Sequence, residues 1–328
     1  MKILMVCTMG MGTNKIGQDL GRAFAELGHG VAYYDYDERP LPLRLMPKAL
    51  RGEGYQRRVA EAQNAALRRA VRNERPRIVF VVKGFLFEPA TLEEIRSAGA
   101  VLVGMWVDDP LDHARALERA PHYDLYFTND AATVESYHRH GIARAHHLLA
   151  SADTSLFHPL GVARDLPIAL VGTRTDLREK IVRQLADLPL HVFGPGWTKI
   201  RIDGRVRLNP AAFGARTNDI YNRALINLNI HNWLGRGGAM NLRLFEVPAA
   251  GAFLLTDPVD EIRDSYVEDR HLACWRGVEE LRDKLEHFLA RPAECEQIAR
   301  AGREHFLVHH SYPVRARRVL QLAEPLLK

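Results

Sequence analysis

Three cysteines in 328 residues, Cys7, Cys274 and Cys295, are too few and too scattered for a disulfide framework or a cysteine-rich metal site. No apolar run approaches the roughly 18 residues that a membrane-spanning helix needs. The N-terminal MKILMVCTMGMG reads as a strand and a glycine loop rather than a secretory leader, and these features together point to a cytoplasmic protein. No charge of one sign dominates. Forty-five Lys and Arg against 40 Asp and Glu leave a net charge of only +5, too mild to require a nucleic-acid partner. The arginines at 68, 69, 72, 75 and 77 and at 315, 317 and 318 alternate with Ala, Leu or Val, which suits solvated helix faces. Also missing are the GxxxxGK[ST] phosphate loop, the GxSxG elbow and the HExxH zinc pair, so phosphate-loop, serine-hydrolase and zinc-peptidase chemistries are not expected. The histidine pairs His146-His147 and His309-His310 have no ligand-spaced partners, and no metal site is predicted.

What is present is apolar residue, 47% of the chain, enough for two packed cores. The pattern is α/β throughout. KILMVCT, VAYYDYD, RIVFVVKG, VLVGMWVDD, DLYFTND and AHHLLAS read as strands separated by mostly helical stretches, and continuous apolar runs are the mark of parallel strands buried on both faces. Periodicity fails over residues 153–165, which carry Pro159, and a second alternation starts at Pro167 with PIALVGT, LHVFGPG, LINLNIH, AFLLTD and HLACW. We therefore expect two Rossmann-like domains, residues 1–155 and 156–328, each with its functional loops at the carboxyl ends of its strands.

Those loops supply the candidate residues. Gly10, Gly12 and Asn14 follow the first strand, with Asp35 and Asp37 about twenty residues on, which invites a dinucleotide reading. Lys15 occupies the third glycine position of GxGxxG, so a loop serving an acceptor or phosphates is the competing reading. WVDDP ends the fourth strand with Asp108 and Asp109, which point to opposite faces; one could serve as a general base, or both could cap the turn at Pro110, and His113 is a third candidate. In the second half, Thr173, Arg174 and Arg178 lie in a strand-to-helix loop suited to a diphosphate, because a guanidinium stays charged and donates in a fork. Arg178 could equally be a solvated first-turn residue. His231 ends a strand where it would face the donor and could contact the sugar or its phosphates, and FGPGW places Gly194 and Trp197 in another post-strand loop, where a base could be contacted.

The richest stretch is Gly237 to Asp257, GGAMNLRLFEVPAAGAFLLTD. Leu242, Phe245 and Ala249 predict a helix over 241–250 that starts near Met240 and puts Glu246 about two turns in, behind a Gly237-Gly238 turn suited to an anion, with Asn241 and Arg243 beside it. This stretch, with YNRALINLNIH before it and SYPVRARRVL near the end, resembles the C-terminal domain of GT-B-type glycosyltransferases, specifically the spore maturation protein CgeB-like group. The resemblance covers residues 165 to 325 well and the N-terminal half in layout only. It implies a GT-B architecture, a last helix (about 312–328) that crosses back to the first domain, and metal-independent sugar transfer. The donor would be a nucleotide-activated sugar and no cofactor would be needed. It also implies that Glu246 holds the donor ribose, with the diphosphate at Gly237, Gly238, Asn241, Arg243 and Arg174. Related retaining enzymes carry a second glutamate eight positions earlier, where this chain has Gly238. The sugar, the stereochemical course and the acceptor (glycan, protein, natural product or nucleic acid) stay open. A nicotinamide-dependent oxidoreductase using the Gly10 loop and a non-catalytic sugar-nucleotide-binding protein are the alternatives.

Overall fold

The computed structural model describes residues 1–9, 15–38, 41–47, 51–231 and 240–327. The chain forms two compact units, one of residues 1–150 and 312–328 and one of residues 151–311.

The first unit runs β1 (Lys2–Cys7), α1 (Ile16–Glu26), β2 (Gly30–Asp35), α2 (Leu41–Arg44), α3 (Glu53–Glu74), β3 (Ile78–Val82), α4 (Pro89–Ser97), β4 (Val101–Trp106), α5 (His113–Arg119), β5 (Leu125–Thr128), α6 (Val134–Arg139) and β6 (Ala145–His147). Its six strands lie in the order β2-β1-β3-β4-β5-β6, and every pair is parallel. The central strands are hydrophobic without alternation because helices cover both faces: β3 and β4 are buried at every position. Cys7 is a buried thiol at the end of β1, and burial pushes it up to about 12, so it behaves as a small apolar side chain. Arg69, Arg72, Arg75 and Arg77 are exposed, as a solvated face requires, while Arg68 reaches from α3 to Thr91 Oγ1 on α4 at 2.6 Å.

The second unit runs β7 (Leu166–Val171), α7 (Asp176–Gln184), β8 (Leu190–Phe193), β9 (Arg207–Asn209), α8 (Ala215–Arg223), β10 (Ala224–Asn229), α9 (Arg243–Ala249), β11 (Leu254–Thr256), α10 (Asp260–Ser265), β12 (Ala273–Cys274), α11 (Val278–Leu289) and α12 (Pro292–His309). The last helix, α13 (Tyr312–Ala323), belongs to the first unit, where it packs on α1. The second sheet is also parallel, in the order β12-β11-β10-β7-β8-β9. Its core is built on Leu170, Val192, Trp197, Leu228 and Phe253. Burying each such side chain is worth about 1.5–3 kcal/mol. The irregular stretch ahead of β7 finds its hydrogen bonds on α8: Asn218 and Asn222 hold the backbone of His158 and Leu160 at 2.8 to 3.2 Å. The fold is thus α/β with two parallel six-stranded sheets. Among the described residues no helix is long and apolar enough to cross a membrane.

Candidate functional site

From β7 the second chain segment builds outward through β8 and β9, then returns to lay β10 on the other side of β7. The strand order therefore reverses between β7 and β10, and ligands of open parallel sheets bind in the crevice beyond the carboxyl ends at such a point. Gly172 stands there. A Cβ at Gly172 would lie 3.0 Å from Arg178 Nη1 and 3.1 Å from Arg243 Nη2, so two guanidinium groups converge on one residue that has no side chain.

The two arginines do different work. Arg178, 3% exposed, donates through Nε and Nη2 to Ile230 O (2.9 and 2.6 Å) and through Nη1 to Thr173 O (2.9 Å), bolting the end of β10 to the loop after β7. The solvated reading of Arg178 is corrected: it does lie in the first turn of α7, with Thr175 Oγ1 accepting from Arg178 N, but its side chain is buried. Burial, and to a lesser extent the neighbouring Arg243 cation, lowers Arg178 to about 10, so holding its charge at this spot is unfavourable. Arg243 remains partly exposed; its Nε donates to Val171 O at the end of β7. Arg174, also partly exposed, donates from Nε to Glu179 Oε2 at 2.5 Å.

Two post-strand loops are zipped together to hold this arrangement. Gly172 N donates to Phe193 O (2.8 Å) and Arg174 N to Pro195 O (2.9 Å). The approach is so close that a Cβ at Gly194, whose φ is 151°, would sit 2.1 Å from Gly172 O; only glycine fits. Trp197 lies beneath, fully buried, with its indole N–H on Gly172 O at 2.8 Å. The expected contact of Trp197 with a base is therefore corrected: the ring is core, and it props the loop from below.

The helix carrying Glu246 begins later than its apolar periodicity suggests. Asn241 Oδ1 accepts from Arg243 N at 3.1 Å, and this side-chain turn starts α9 at Arg243, placing Glu246 in the first turn rather than two turns along. Asn241 in turn donates to Asn229 Oδ1 (3.1 Å), and Asn229 to Thr256 Oγ1 (2.9 Å), so the helix start is pinned across the ends of β10 and β11. Pro248 inside α9 has no N–H for Leu244 O, and Tyr266 OH donates to that carbonyl instead at 2.7 Å. Gly251, at φ 68°, closes the helix: Gly251 N reaches Pro248 O (2.9 Å) and Ala252 N reaches Val247 O (3.1 Å), the Schellman arrangement.

Glu246 itself is half-buried, with Oε2 accepting from the buried Tyr221 OH on α8 at 2.9 Å. Burial pushes its carboxyl up, and the Arg243 cation and the Tyr221 hydrogen bond offset part of the rise. His231 does not face outward as expected. It is buried, with Nδ1 2.9 Å from Asp257 Oδ1 and its backbone N–H on the same carboxylate, because the end of β10 runs beside the end of β11. Residue-level reading missed Tyr221, Asp257 and Gly172; Asp257 had a visible signal, a carboxylate closing an apolar strand. Gly10, Gly12 and Asn14, with the dinucleotide reading placed on them, and Gly237 and Gly238 lie outside the described residues.

In the first unit Asp108 and Asp109 diverge, as alternation requires. Asp108, its side chain 41% exposed, pairs with Lys83 Nζ at 2.6 Å; Lys83 follows β3 in a left-handed conformation, φ 65°. The Asp109 carboxylate is fully buried. Its Oδ2 accepts from Thr128 Oγ1 and Tyr137 OH, both at 2.6 Å, and its Oδ1 lies 2.9 Å from His113 Nδ1. Direct contact of Asp109 with an acceptor is thus corrected: His113 and three hydroxyl-bearing side chains surround it, Thr133 Oγ1 being the third at 3.4 Å. Among the described residues no group of three or more His, Cys, Asp or Glu is arranged to hold a metal ion.

Residues 174–321 match a family described as glycosyl transferase-like. Three solved structures superpose over nearly the whole chain. Sucrose-phosphate synthase from Thermosynechococcus elongatus gives a TM-score of 0.69 at 15% identity, covering 99% of this chain and 98% of that one. HepE from Anabaena in complex with UDP gives 0.68 at 11%, covering 99% and 100%, and HepE is also known with UDP-glucose. A glycosyltransferase from Rickettsia africae gives 0.68 at 11%, covering 100% and 98%. A search of curated proteins finds no match. The fold is that of GT-B glycosyltransferases.

Proposed function

We propose that the protein is a CgeB-like glycosyltransferase that binds a nucleotide-activated sugar in its second unit and transfers the sugar to an acceptor held by the first. The observation that carries this reading is the convergence of Arg178 and Arg243 on Gly172 at the point where the strand order reverses, with Arg174 two residues on. Several positive charges there, one of them buried at a cost, call for an anion, and a diphosphate accepts hydrogen bonds from such forks. Arg243 and Arg174 contact it; Arg178 holds the loop. Glu246, one turn beyond Arg243, accepts from the ribose hydroxyls, with Tyr221 fixing one carboxylate oxygen.

Transfer breaks the bond between the anomeric carbon and the phosphate oxygen, and the leaving diphosphate gains negative charge. Fixed guanidinium groups stabilise that charge without reorganising, the role a divalent metal fills elsewhere, so the reaction proceeds without one. Uridine is the base tested first, since HepE binds UDP and UDP-glucose. The experiment is a screen of nucleotide sugars for release of nucleoside diphosphate, with EDTA in parallel. Release from at least one donor, undiminished by EDTA and lost in Arg243→Ala, is expected; no release from any donor rejects transferase chemistry, and release abolished by EDTA rejects metal independence.

A further inference from the structure

Pro248 leaves α9 unable to complete its own hydrogen-bond ladder, and the gap falls between its two candidate donor-binding residues. The carbonyl that receives no N–H from position 248 is that of Leu244, next to Arg243 and two residues before Glu246. Leu244 and Tyr266 are both buried, and Tyr266 OH reaches Leu244 O at 2.7 Å from the turn that follows α10. Histidines grip that turn on three successive residues. His305 Nε2 and His310 Nε2, at the end of α12, lie 2.7 and 2.8 Å from Ser265 O; a carbonyl only accepts, so both nitrogens donate. The Tyr266 ring stacks on that of His310, with centroids 4.7 Å apart. Val267 N donates to His271 Nδ1 at 3.1 Å, and the His271 ring stacks on that of His305 at 4.0 Å. The packing behind the turn leaves no slack, since a Cβ at Gly302 of α12 would lie 2.3 Å from His271 O. The Tyr266 hydroxyl is thereby fixed in place, and through Leu244 O it holds the first turn of α9.

We propose that Tyr266 is a positioning residue of the donor site: its hydroxyl, clamped by the histidines, holds α9 so that the Arg243 guanidinium and the Glu246 carboxylate are presented together. The proposal rests on the transferase reading above and lies wholly within the second unit. Tyr266 acts through the Leu244 carbonyl rather than on the nucleotide. A buried carbonyl without a donor is unfavourable, so in the absence of the hydroxyl α9 shifts or opens until water or another donor reaches Leu244 O. Arg243 and Glu246, on either side of Leu244, move with it. A nucleotide then binds only the fraction of molecules with the turn in place, and its apparent affinity drops by that fraction. Proline at position 248 is what makes the arrangement depend on Tyr266, because any other residue there would supply the N–H from within α9.

The test uses the full-length protein with UDP as the probe and has two readouts: the calorimetric Kd, and amide hydrogen exchange of α9 without nucleotide. Tyr266→Phe keeps the ring on His310 and removes only the hydroxyl. Exchange of the α9 amides should speed up roughly ten- to a hundredfold, the range for a buried carbonyl left unpaired. The Kd for UDP should rise at least about fivefold as the binding-competent fraction falls. Adding Pro248→Ala to Tyr266→Phe gives position 248 an N–H for Leu244 O and should return both readouts to within about twofold of wild type. A tyrosine that only packs the core would lower the melting temperature and leave the Kd of the folded variant unchanged. That result, any smaller rise in Kd, unaltered exchange, or failure of Pro248→Ala to restore affinity overturns the proposal. Should Tyr266→Phe not fold, the double variant decides alone: regained UDP binding upholds the proposal, and continued failure to fold overturns it. Failure of the wild-type protein to bind UDP sinks the donor reading instead, and the exchange rates, which need no nucleotide, still judge whether Tyr266 holds α9.

Discussion

Replacing Glu246 with glutamine separates the cost of its carboxylate from its use. Burial raises the Glu246 carboxyl, so the folded state prefers it protonated. A raised pKa contributes stability that is fully present below the unfolded value, roughly 4.3, and is lost as pH rises through the folded value. Above that folded value the free protein carries an ionised, half-buried carboxylate at a cost in stability. Glutamine keeps an oxygen for Tyr221 OH, 2.9 Å away in the wild type, and removes that charge. Glu246→Gln should accordingly resist urea at pH 8 at least as well as wild type, and the difference should shrink toward pH 4. Binding should move the other way. Hydrogen bonds from ribose hydroxyls to a charged acceptor are worth about 1.5–3 kcal/mol, and at about 1.4 kcal/mol per tenfold the variant should bind UDP roughly ten- to a hundredfold more weakly. Titration calorimetry with UDP at pH 8, alongside urea melts at pH 8 and 4, measures both. Unchanged affinity, or a variant markedly less stable than wild type at pH 8, would refute the reasoning.

Arg243→Ala should weaken UDP binding by a similar factor, about ten- to a hundredfold, and flatten its dependence on salt, read by calorimetry at two ionic strengths. Trp197→Phe leaves Gly172 O buried without its donor and should cost about 1–3 kcal/mol in denaturant unfolding. Gly194→Ala forces a side chain onto Gly172 O at a φ of 151° and should cost more than about 3 kcal/mol, visible as a collapse of melting temperature or of soluble yield. His271 is lowered to about 4 by burial, with smaller contributions from the nearby His305, Arg270 and His309. A depressed histidine favours the neutral form in the fold, so stability should fall as pH drops from about 6.5 toward 4, and His271→Gln should blunt that fall in acid-unfolding curves.

The strands were readable because burial on both faces leaves no alternation to confuse them: KILMVC, IVFVV and VLVGMW are nearly uninterrupted. The edge strand Arg207–Asn209 escaped, since two of its three residues are polar and it has a neighbour on only one side. Periodicity placed a helix around Glu246 but not its start, where Asn241 Oδ1 accepts from Arg243 N. Partners distant in sequence were not visible at all. Tyr221 meets Glu246 across 25 positions, Trp197 meets Gly172 across 25, and Asp109 meets Tyr137 across 28; only the folded sheet brings them together. Trp197 shows the error that follows, because a large aromatic after a glycine loop looks the same in sequence whether it serves a ligand or the core.

The most direct measurement is a crystal structure of the protein with UDP. The account predicts the diphosphate within hydrogen-bonding distance of the Arg243 and Arg174 guanidinium groups beside Gly172, and a ribose hydroxyl on Glu246. A nucleotide bound instead in the first unit, or one bound in the second with its phosphates away from Gly172 and its ribose away from Glu246, would contradict it.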